Sequence, residues 1–256
     1  MKAVILAAGY ATRLRPLTDD VPKHLLPVGG RPMLDWVLEK VREVDEIDGV
    51  HLVTNSRFAS AFGRWAEPQG VAVHDDGTTS NEDRLGAVGD LRLVIEAAEL
   101  DDQELLVLAG DNLFELSLPR FVEWWRGKPQ PTSAVPLHDV GDLELAKEYG
   151  IAATDADDRI VQFVEKPSDP PSTLASTLIY LVPPEHVRLV ARYLDAGESA
   201  DNAGSFLGWL ARREQVYGYR FEGSWFDIGD HDQLLEADNR MRRRNGLPER
   251  AEYSIS

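Results

Sequence analysis

Short apolar runs alternate with amphipathic patterns over the first 110 residues, and this alternation constrains the fold more than any other feature. Residues 3–8 form a continuous apolar run that stops at Gly9, which predicts a buried strand at the centre of a parallel sheet. From Pro32 to Val44 the apolar positions recur at helical spacing, with Pro32 suited to the first turn. The same reasoning predicts strands at 50–54, 71–74 and 105–109, and helices at 57–66 and 87–98. Such alternation is typical of a doubly wound α/β sheet.

The pattern changes after Asp111. Helices of varied length, at 185–194, 205–213 and 232–244, separate or follow strand-like runs at 133–137, 160–165, 177–182 and 216–221. This half of the chain is expected to add antiparallel strands and make the sheet mixed. No internal repeat or low-complexity linker divides the 256 residues, so one continuous domain is predicted.

Composition excludes several classes of function. The chain carries 27 Lys and Arg against 44 Asp and Glu, a net charge of −17, which argues against a nucleic-acid partner or an anionic membrane surface. The absence of cysteine excludes disulfides, thiolate zinc sites and cysteine nucleophiles. No apolar stretch approaches the roughly 20 residues of a membrane span. A cytoplasmic protein is therefore expected.

The loop after the first strand combines small residues with positive charge. Ala7, Ala8 and Gly9 would let backbone amides approach phosphate oxygens, and Arg13, Arg15 and Lys23 could neutralise them. In a strongly acidic chain such a local excess of cations indicates an anion site. The alternative is that the arginines are merely solvated loop charges.

Two carboxylates follow apolar segments at the edge where open α/β sheets bind ligands. Asp111 follows the run 105–109, and Asp227 lies between bulky apolar neighbours in Trp225–Gly229. Oxygen ligands of this kind suit Mg²⁺, although Asp111 could equally cap a turn. Asp230 is expected to cap the last helix.

Four separated motifs resemble those of the sugar-1-phosphate nucleotidylyltransferases. The family pattern G-x-G-T-R, then P-K, resembles residues 9–13 and 22–23, with Ala11 in place of the second glycine. The other three motifs are the buried strand that ends in Gly110-Asp111, the element Glu165-Lys166-Pro167, and the W-x-D-x-G element at 225–229. Because alanine tolerates positive φ poorly, the Ala11 substitution is expected to affect the loop conformation.

The resemblance implies a role for each matching position. In the family, the residues at Arg13 and Lys23 hold the triphosphate, and the aspartates at 111 and 227 bind Mg²⁺. The glutamate at 165 accepts hydrogen bonds from sugar hydroxyls, and the lysine at 166 contacts the sugar phosphate. Three more positions match the sugar pocket: Tyr149, Gly150 and Thr177. Tyr149 could instead simply pack in the core.

Base recognition is expected at Asn81 and Gly86, whose spacing matches a glutamine and a glycine in thymidylyl and uridylyl members. An amide both donates and accepts, which suits the edge of uracil or thymine. Asn81 serves equally well as a plain turn residue.

The family's fold is a Rossmann-like doubly wound mixed sheet of the nucleotide-diphospho-sugar transferase type. It implies a nucleotide-binding half at 1–112, a sugar-binding half at 113–230, and a C-terminal helix and tail at 231–256. The implied partners are a nucleoside triphosphate, with dTTP or UTP favoured, and a sugar 1-phosphate such as glucose 1-phosphate. Oligomeric state stays open, because members are often dimers or tetramers.

Two alternatives remain at this point. A cytidylyl or guanylyl transferase that acts on another phosphate ester would share Arg13, Lys23 and the metal site, but Glu165, Lys166 and Tyr149 suit a hexose better. A regulatory protein that binds nucleotide sugars without turnover is the second alternative.

Overall fold

The computed structural model describes residues 1–255, and a mixed sheet of ten strands forms its centre. Two short two-stranded sheets stand beside it. Within the described range the strands are β1 (Lys2–Leu6), β2 (Pro27–Val28), β3 (Arg31–Pro32), β4 (Gly49–Thr54), β5 (Ala72–Asp75), β6 (Leu105–Ala109), β7 (Asn112–Phe114), β8 (Ser133–Asp139), β9 (Gly150–Thr154), β10 (Ile160–Glu165), β11 (Leu174–Ser176), β12 (Ile179–Val182), β13 (Val216–Arg220) and β14 (Trp225–Asp227).

Helices cover both faces of this sheet. They are α1 (Met33–Arg42), α2 (Ala59–Ala66), α3 (Ala87–Ala97), α4 (Leu118–Arg126), α5 (Leu143–Ala146), α6 (Pro184–Val187), α7 (Leu189–Asp195), α8 (Ala203–Ala211) and α9 (His231–Arg244). Short 3₁₀ turns follow β1 at Thr12–Leu14 and precede β2 at Lys23–Leu25. None of the helices in residues 1–255 has the length and apolar character needed to cross a bilayer.

The sheet order is β10-β9-β11-β8-β12-β6-β1-β4-β5, with β13 paired to β8. The four strands β6, β1, β4 and β5 are mutually parallel, and β1 lies between β6 and β4. From β12 onward the pairing becomes antiparallel, apart from the parallel β13–β8 pair. The structure therefore confirms the predicted doubly wound mixed sheet.

Alternation along β1 divides the core. Val4 and Leu6 face the cluster built by α3, α7 and α8, whereas Ala3 and Ile5 face the cluster built by α1, α2 and α4. Successive side chains of a strand point to opposite faces, so a continuous apolar run is what a strand buried on both sides requires. This explains why the sequence pattern predicted β1 correctly.

Several predicted boundaries were wrong. The first strand ends at Leu6, because the carbonyl of Ala8 accepts a hydrogen bond from the Asn55 amide at 2.9 Å instead of continuing the ladder. Pro32 belongs to the short strand β3 and α1 begins after it. The helix expected at 185–194 is divided at Arg188 into α6 and α7.

The antiparallel pairing of β7 with β14 was not predicted, although it positions the site. Asp227 on β14 pairs with Asn112 on β7, and the Ile228 amide donates to the Asp111 carbonyl at 3.4 Å. Because of this pairing, the backbones that carry the two candidate metal-binding aspartates lie side by side.

Candidate active site

One cavity of about 460 Å³ opens at the carboxyl ends of the parallel strands, where open α/β sheets bind ligands. Both halves of the chain line it. The predicted site residues in its wall are Ala8, Gly9, Lys23, Asn81, Gly86, Asp111, Tyr149, Gly150, Glu165, Lys166 and Asp227.

Lys23 and Asp111 form a close ion pair in this wall. The Lys23 Nζ lies 2.5 Å from Asp111 Oδ2 and donates a second hydrogen bond to the Ile228 carbonyl at 2.9 Å. Burial opposes ionisation of Asp111, but the ammonium of Lys23 holds the pKa of that carboxyl below its ordinary value. A charged lysine and a charged aspartate therefore meet at the end of β6.

Asp227 faces the same pair. Burial, together with the negative charge of Asp111, raises the pKa of Asp227 to about 6, against the opposing charges of Lys23, Arg13 and Lys166. A divalent cation bound between these two carboxylates would reduce the repulsion between them.

The donor set fits Mg²⁺. Both candidate ligands supply oxygen, and no cluster of three or more histidine or acidic side chains with metal-binding geometry occurs within residues 1–255. Mg²⁺ is commonly held by one or two carboxylates, with substrate phosphates and water completing its shell. Asp111 and Asp227 could hold the ion in this way.

The loop after β1 adopts an uncommon backbone conformation at the position that departs from the family motif. Ala11 has φ 46° and ψ 44°, in the left-handed region. Its carbonyl accepts the Thr18 hydroxyl at 2.9 Å and the Leu14 amide at 3.0 Å, which holds the loop in this shape. Alanine therefore occupies a position where the backbone conformation favours glycine, and the residue is strained.

Arg13 and Ala7 do not line the cavity, although both were predicted at the nucleotide site. Ala7 is buried, and its amide donates to the Val53 carbonyl at 2.9 Å. The Arg13 guanidinium lies against Gly229, its Nη2 only 2.8 Å from where a Cβ would stand, and its charge lowers the pKa of Asp227. Arg13 thus acts beside the carboxylates from outside the wall.

The side chain of Glu165, at the end of β10, is held against the start of α8. Its Oε1 accepts a hydrogen bond from the Asn202 amide at 2.8 Å, and its Oε2 packs so closely on Gly204 that a Cβ there would lie 2.1 Å away. Gly150 meets the same carboxylate, since a Cβ at that position would lie 2.7 Å from Oε2. Glycine is therefore necessary at position 150 because the backbone there lies against the side chains of Glu165 and Phe163.

Tyr149 and Trp225 form the aromatic side of the cavity, with ring centroids 5.0 Å apart. The indole of Trp225 donates to Asn112 Oδ1 at 2.8 Å, which orients the ring. Next to them Lys166 has φ 44°, a strained conformation of the kind that concentrates at functional sites.

Thr177 is placed differently from the prediction. It is fully buried, and both its amide and its hydroxyl donate to the Pro136 carbonyl, at 3.2 and 3.1 Å. Its neighbours Ser176 and Leu178 line the cavity instead. Successive side chains of an extended segment face opposite sides, so Thr177 faces away from the cavity that its two neighbours line. The predicted position was displaced by one residue.

The loop Asn81–Gly86 faces the sugar-binding half. Arg84 makes a two-pronged ion pair with Asp201, at 2.8 and 3.0 Å. Gly86 has φ 82°, and a Cβ there would lie 2.5 Å from the Asp201 Cα. The two halves of the chain are therefore in contact at this end of the cavity.

Among the polar residues of the wall that sequence reasoning missed are Tyr10, Arg84, Asp90 and Asn202. Asp90 left a signal, because it falls among the buried apolar positions Val88, Leu91 and Val94 of α3. A carboxylate on the inner face of a helix requires a partner or a function. Arg84 and Asn202 left no signal in the sequence, because each contacts a partner more than 30 residues away in the chain.

Comparison with known proteins agrees with this geometry. The profile of the nucleotidyl transferase family matches residues 2–244. A UTP–glucose-1-phosphate uridylyltransferase of Synechocystis sp. is 32% identical over 243 residues, 90% of this chain and 60% of that protein. The bifunctional protein GlmU of Methanocaldococcus jannaschii is 27% identical over 238 residues, 93% of this chain and 53% of that protein. The chain thus spans little more than half the length of these relatives.

Solved structures show the same architecture. A putative glucose-1-phosphate thymidylyltransferase from Bacillus anthracis, in complex with a sucrose, superimposes with a TM-score of 0.81 at 25% identity. The match covers 94% of this chain and 95% of that one. A UDP-glucose pyrophosphorylase complexed with UDP-glucose gives 0.78 at 20% identity, over 95% and 98% of the two chains, and supports the fold alone. With a profile match over nearly its whole length, a mixed sheet of this type and the four motifs gathered at one cavity, the chain belongs to the nucleotidyl transferase family, among the sugar-1-phosphate nucleotidyltransferases.

Proposed function

We propose that this protein transfers a nucleotidyl group from a nucleoside triphosphate, dTTP or UTP by preference, to a hexose 1-phosphate such as glucose 1-phosphate. The products are a nucleoside diphosphate sugar and pyrophosphate. The observation that carries the proposal is that Lys23, Asp111 and Asp227 share one cavity with Lys166, Glu165 and Tyr149.

The reaction needs no side-chain nucleophile. An oxygen of the sugar phosphate attacks the α-phosphorus, the bond to the bridging oxygen of the β-phosphate breaks, and pyrophosphate leaves with that oxygen. The attacking phosphate is already anionic near neutral pH, so catalysis consists of charge neutralisation and in-line positioning.

Each side chain has a role in this scheme. Lys23 and Arg13 stabilise the leaving pyrophosphate, and Lys166 holds the attacking phosphate. Glu165, locked by Asn202, accepts hydrogen bonds from the sugar hydroxyls, and the Tyr149–Trp225 pair covers the ring. Mg²⁺ bound by Asp111 and Asp227 would supply charge stabilisation at the phosphates.

The test is pyrophosphate release by the purified protein with Mg²⁺ and glucose 1-phosphate, run separately with dTTP, UTP, CTP, GTP and ATP. Fast release with dTTP or UTP is expected, and Lys23→Ala should lower turnover by about 100-fold or more. Lys147→Ala is the matched control, because Lys147, just after α5, forms its ion pair with the exposed Glu144.

Preference for CTP or GTP would contradict the donor assignment. Nucleotide binding without release from any sugar phosphate would contradict the enzyme and favour a regulatory protein.

A further inference from the structure

Two buried carboxyl groups meet at the nucleotide side of the cavity. Asp76 follows β5 and Asp90 lies in the first turn of α3, and both are more than nine-tenths buried. One buried oxygen of each, Asp76 Oδ2 and Asp90 Oδ1, has no other hydrogen-bond partner, and each carboxyl group acts on the pKa of the other. A hydrogen bond between two carboxyl groups requires a proton between them, so the pair carries one negative charge rather than two.

The surrounding contacts decide which carboxyl holds the proton. Asp76 Oδ1 accepts the Thr78 amide at 2.7 Å, and a bond of this kind stabilises the ionised form. Burial raises the pKa of both carboxyls, but the hydrogen bonds from Thr78 oppose the rise at Asp76, whereas the charge of Asp76 adds to the rise at Asp90 and brings its pKa to about 8. Asp90 is therefore the neutral partner and donates to the Asp76 carboxylate.

One oxygen of Asp90 is left for a ligand. Asp76 Oδ2 and Asp90 Oδ1 are the oxygens of the pair that receive no hydrogen bond from another group, so we assign the shared proton to these two atoms. Asp90 lines the cavity, and no side chain or backbone amide of residues 1–255 donates to its Oδ2. Because the proton is committed to Asp76, this second oxygen can only accept.

The acceptor lies beside the residues expected to meet the base. The Asp90 amide donates to the Gly86 carbonyl at 2.8 Å, and side chains in a helix lean toward its N-terminus, so the Asp90 carboxyl leans toward the Gly86 turn. Asn81, at the other end of the same loop, lines the cavity as well.

We propose that Asp90 is a specificity-determining residue whose free oxygen accepts the imide N3–H of a uracil or thymine base. Asp76 is a positioning residue, since it holds the Asp90 proton away from the cavity. Cytosine N3 and adenine N1 present a lone pair at the corresponding edge and would repel an oxygen that has no proton to offer. This inference rests on the proposed function for the location of the nucleotide.

The test measures equilibrium binding, without sugar phosphate, of UTP and of its N3-methyl derivative in Mg²⁺ buffer. N3-methylation should weaken binding to the wild type about tenfold, the equivalent of one lost hydrogen bond. In Asp90→Ala, UTP binding should weaken about tenfold, and the two nucleotides should bind within about twofold of each other.

Asp90→Asn separates recognition from structure. Its amide NH₂ can donate to Asp76 while its carbonyl accepts from the base, so this variant should keep the wild-type preference for UTP over the N3-methyl derivative. Glu96→Ala, an exposed acid on the same helix that pairs with Arg92, is the control and should behave as the wild type.

Three results would overturn the proposal. They are a wild type that does not discriminate between the two nucleotides, a folded Asp90→Ala that keeps the full discrimination, and an Asp90→Asn variant that loses it. The first needs no variant, so it applies even if Asp90→Ala fails to fold. None of the three depends on turnover, so a failed transferase assay is a separate result.

Discussion

At the scale of single residues, the site holds charges that oppose folding. Asp111 and Asp227 are both mostly buried and repel each other, and Lys23 compensates only one of them directly. Carboxylates whose pKa is strongly perturbed by burial and by a neighbouring charge concentrate at functional sites. Stability and activity should therefore respond in opposite directions when one of these charges is removed.

Asp227→Asn tests this opposition. Because the repulsion is removed, the free energy of unfolding of the variant in EDTA should exceed that of the wild type by about 1–2 kcal/mol. Turnover with Mg²⁺ should fall about 100-fold or more. Urea denaturation and pyrophosphate release measure the two effects. Asp157→Asn, at an exposed position, should change neither. A fully active Asp227→Asn would remove the metal assignment.

The left-handed backbone conformation of Ala11 should reduce the stability of the protein. Because its φ of 46° is unfavourable for alanine, Ala11→Gly should stabilise the protein by about 0.5–1 kcal/mol in spite of the greater freedom of glycine in the unfolded chain. Ala61→Gly, inside α2, should instead destabilise it by about 1 kcal/mol. Thermal unfolding of both variants measures these changes in stability. A destabilised Ala11→Gly would mean that the packing of the alanine methyl group stabilises the protein by more than the backbone strain destabilises it.

At the scale of elements, the contact between the end of β5 and α3 depends on the proton shared by Asp76 and Asp90. An exposed aspartate has a pKa near 3.9, so the folded protein holds a proton that the unfolded chain releases. The stability from this group is fully present below about pH 4 and is lost as the pH rises through about 8.

Asp90→Asn removes this dependence because an amide does not titrate. Between pH 5 and 8 the wild type should lose stability relative to Asp90→Asn, by at most about 1.4 kcal/mol per pH unit. Urea denaturation of both proteins at each pH measures the difference, with Glu96→Gln as the control that should follow the wild type. Parallel profiles would show that Asp90 is ionised in the folded protein.

The elements also show what could be predicted from sequence. Strands β1, β4 and β6 were predicted because strands with both faces buried read as continuous apolar runs. β7, β11 and β14 have only three residues each, too few to give a periodic pattern, and they depend on partners distant in the chain. The placement of Thr177 failed for the same reason, since its face depends on the contact with Pro136.

At the scale of the whole molecule, the cavity joins segments separated by up to about 200 residues, with Lys23 bonded to the Ile228 carbonyl. Sequence motifs located the charged residues, because the carboxyl ends of parallel strands meet at one edge of the sheet. They could not locate Asp90 against Asp76, because that pairing exists only once α3 has packed beside the end of β5. They could not locate Arg84 against Asp201 either, because that pairing exists only once the two halves have packed.

In the proposed reaction a sugar phosphate attacks the α-phosphorus of the nucleotide, and labelled substrates follow the bond that forms. The protein would be incubated with Mg²⁺, ³²P-labelled glucose 1-phosphate and unlabelled UTP or dTTP, and the products separated. We expect the label to appear in a nucleoside diphosphate sugar, with one pyrophosphate released for each molecule formed. Label released as inorganic phosphate, or retained in glucose 1-phosphate while the nucleotide is consumed, would contradict it.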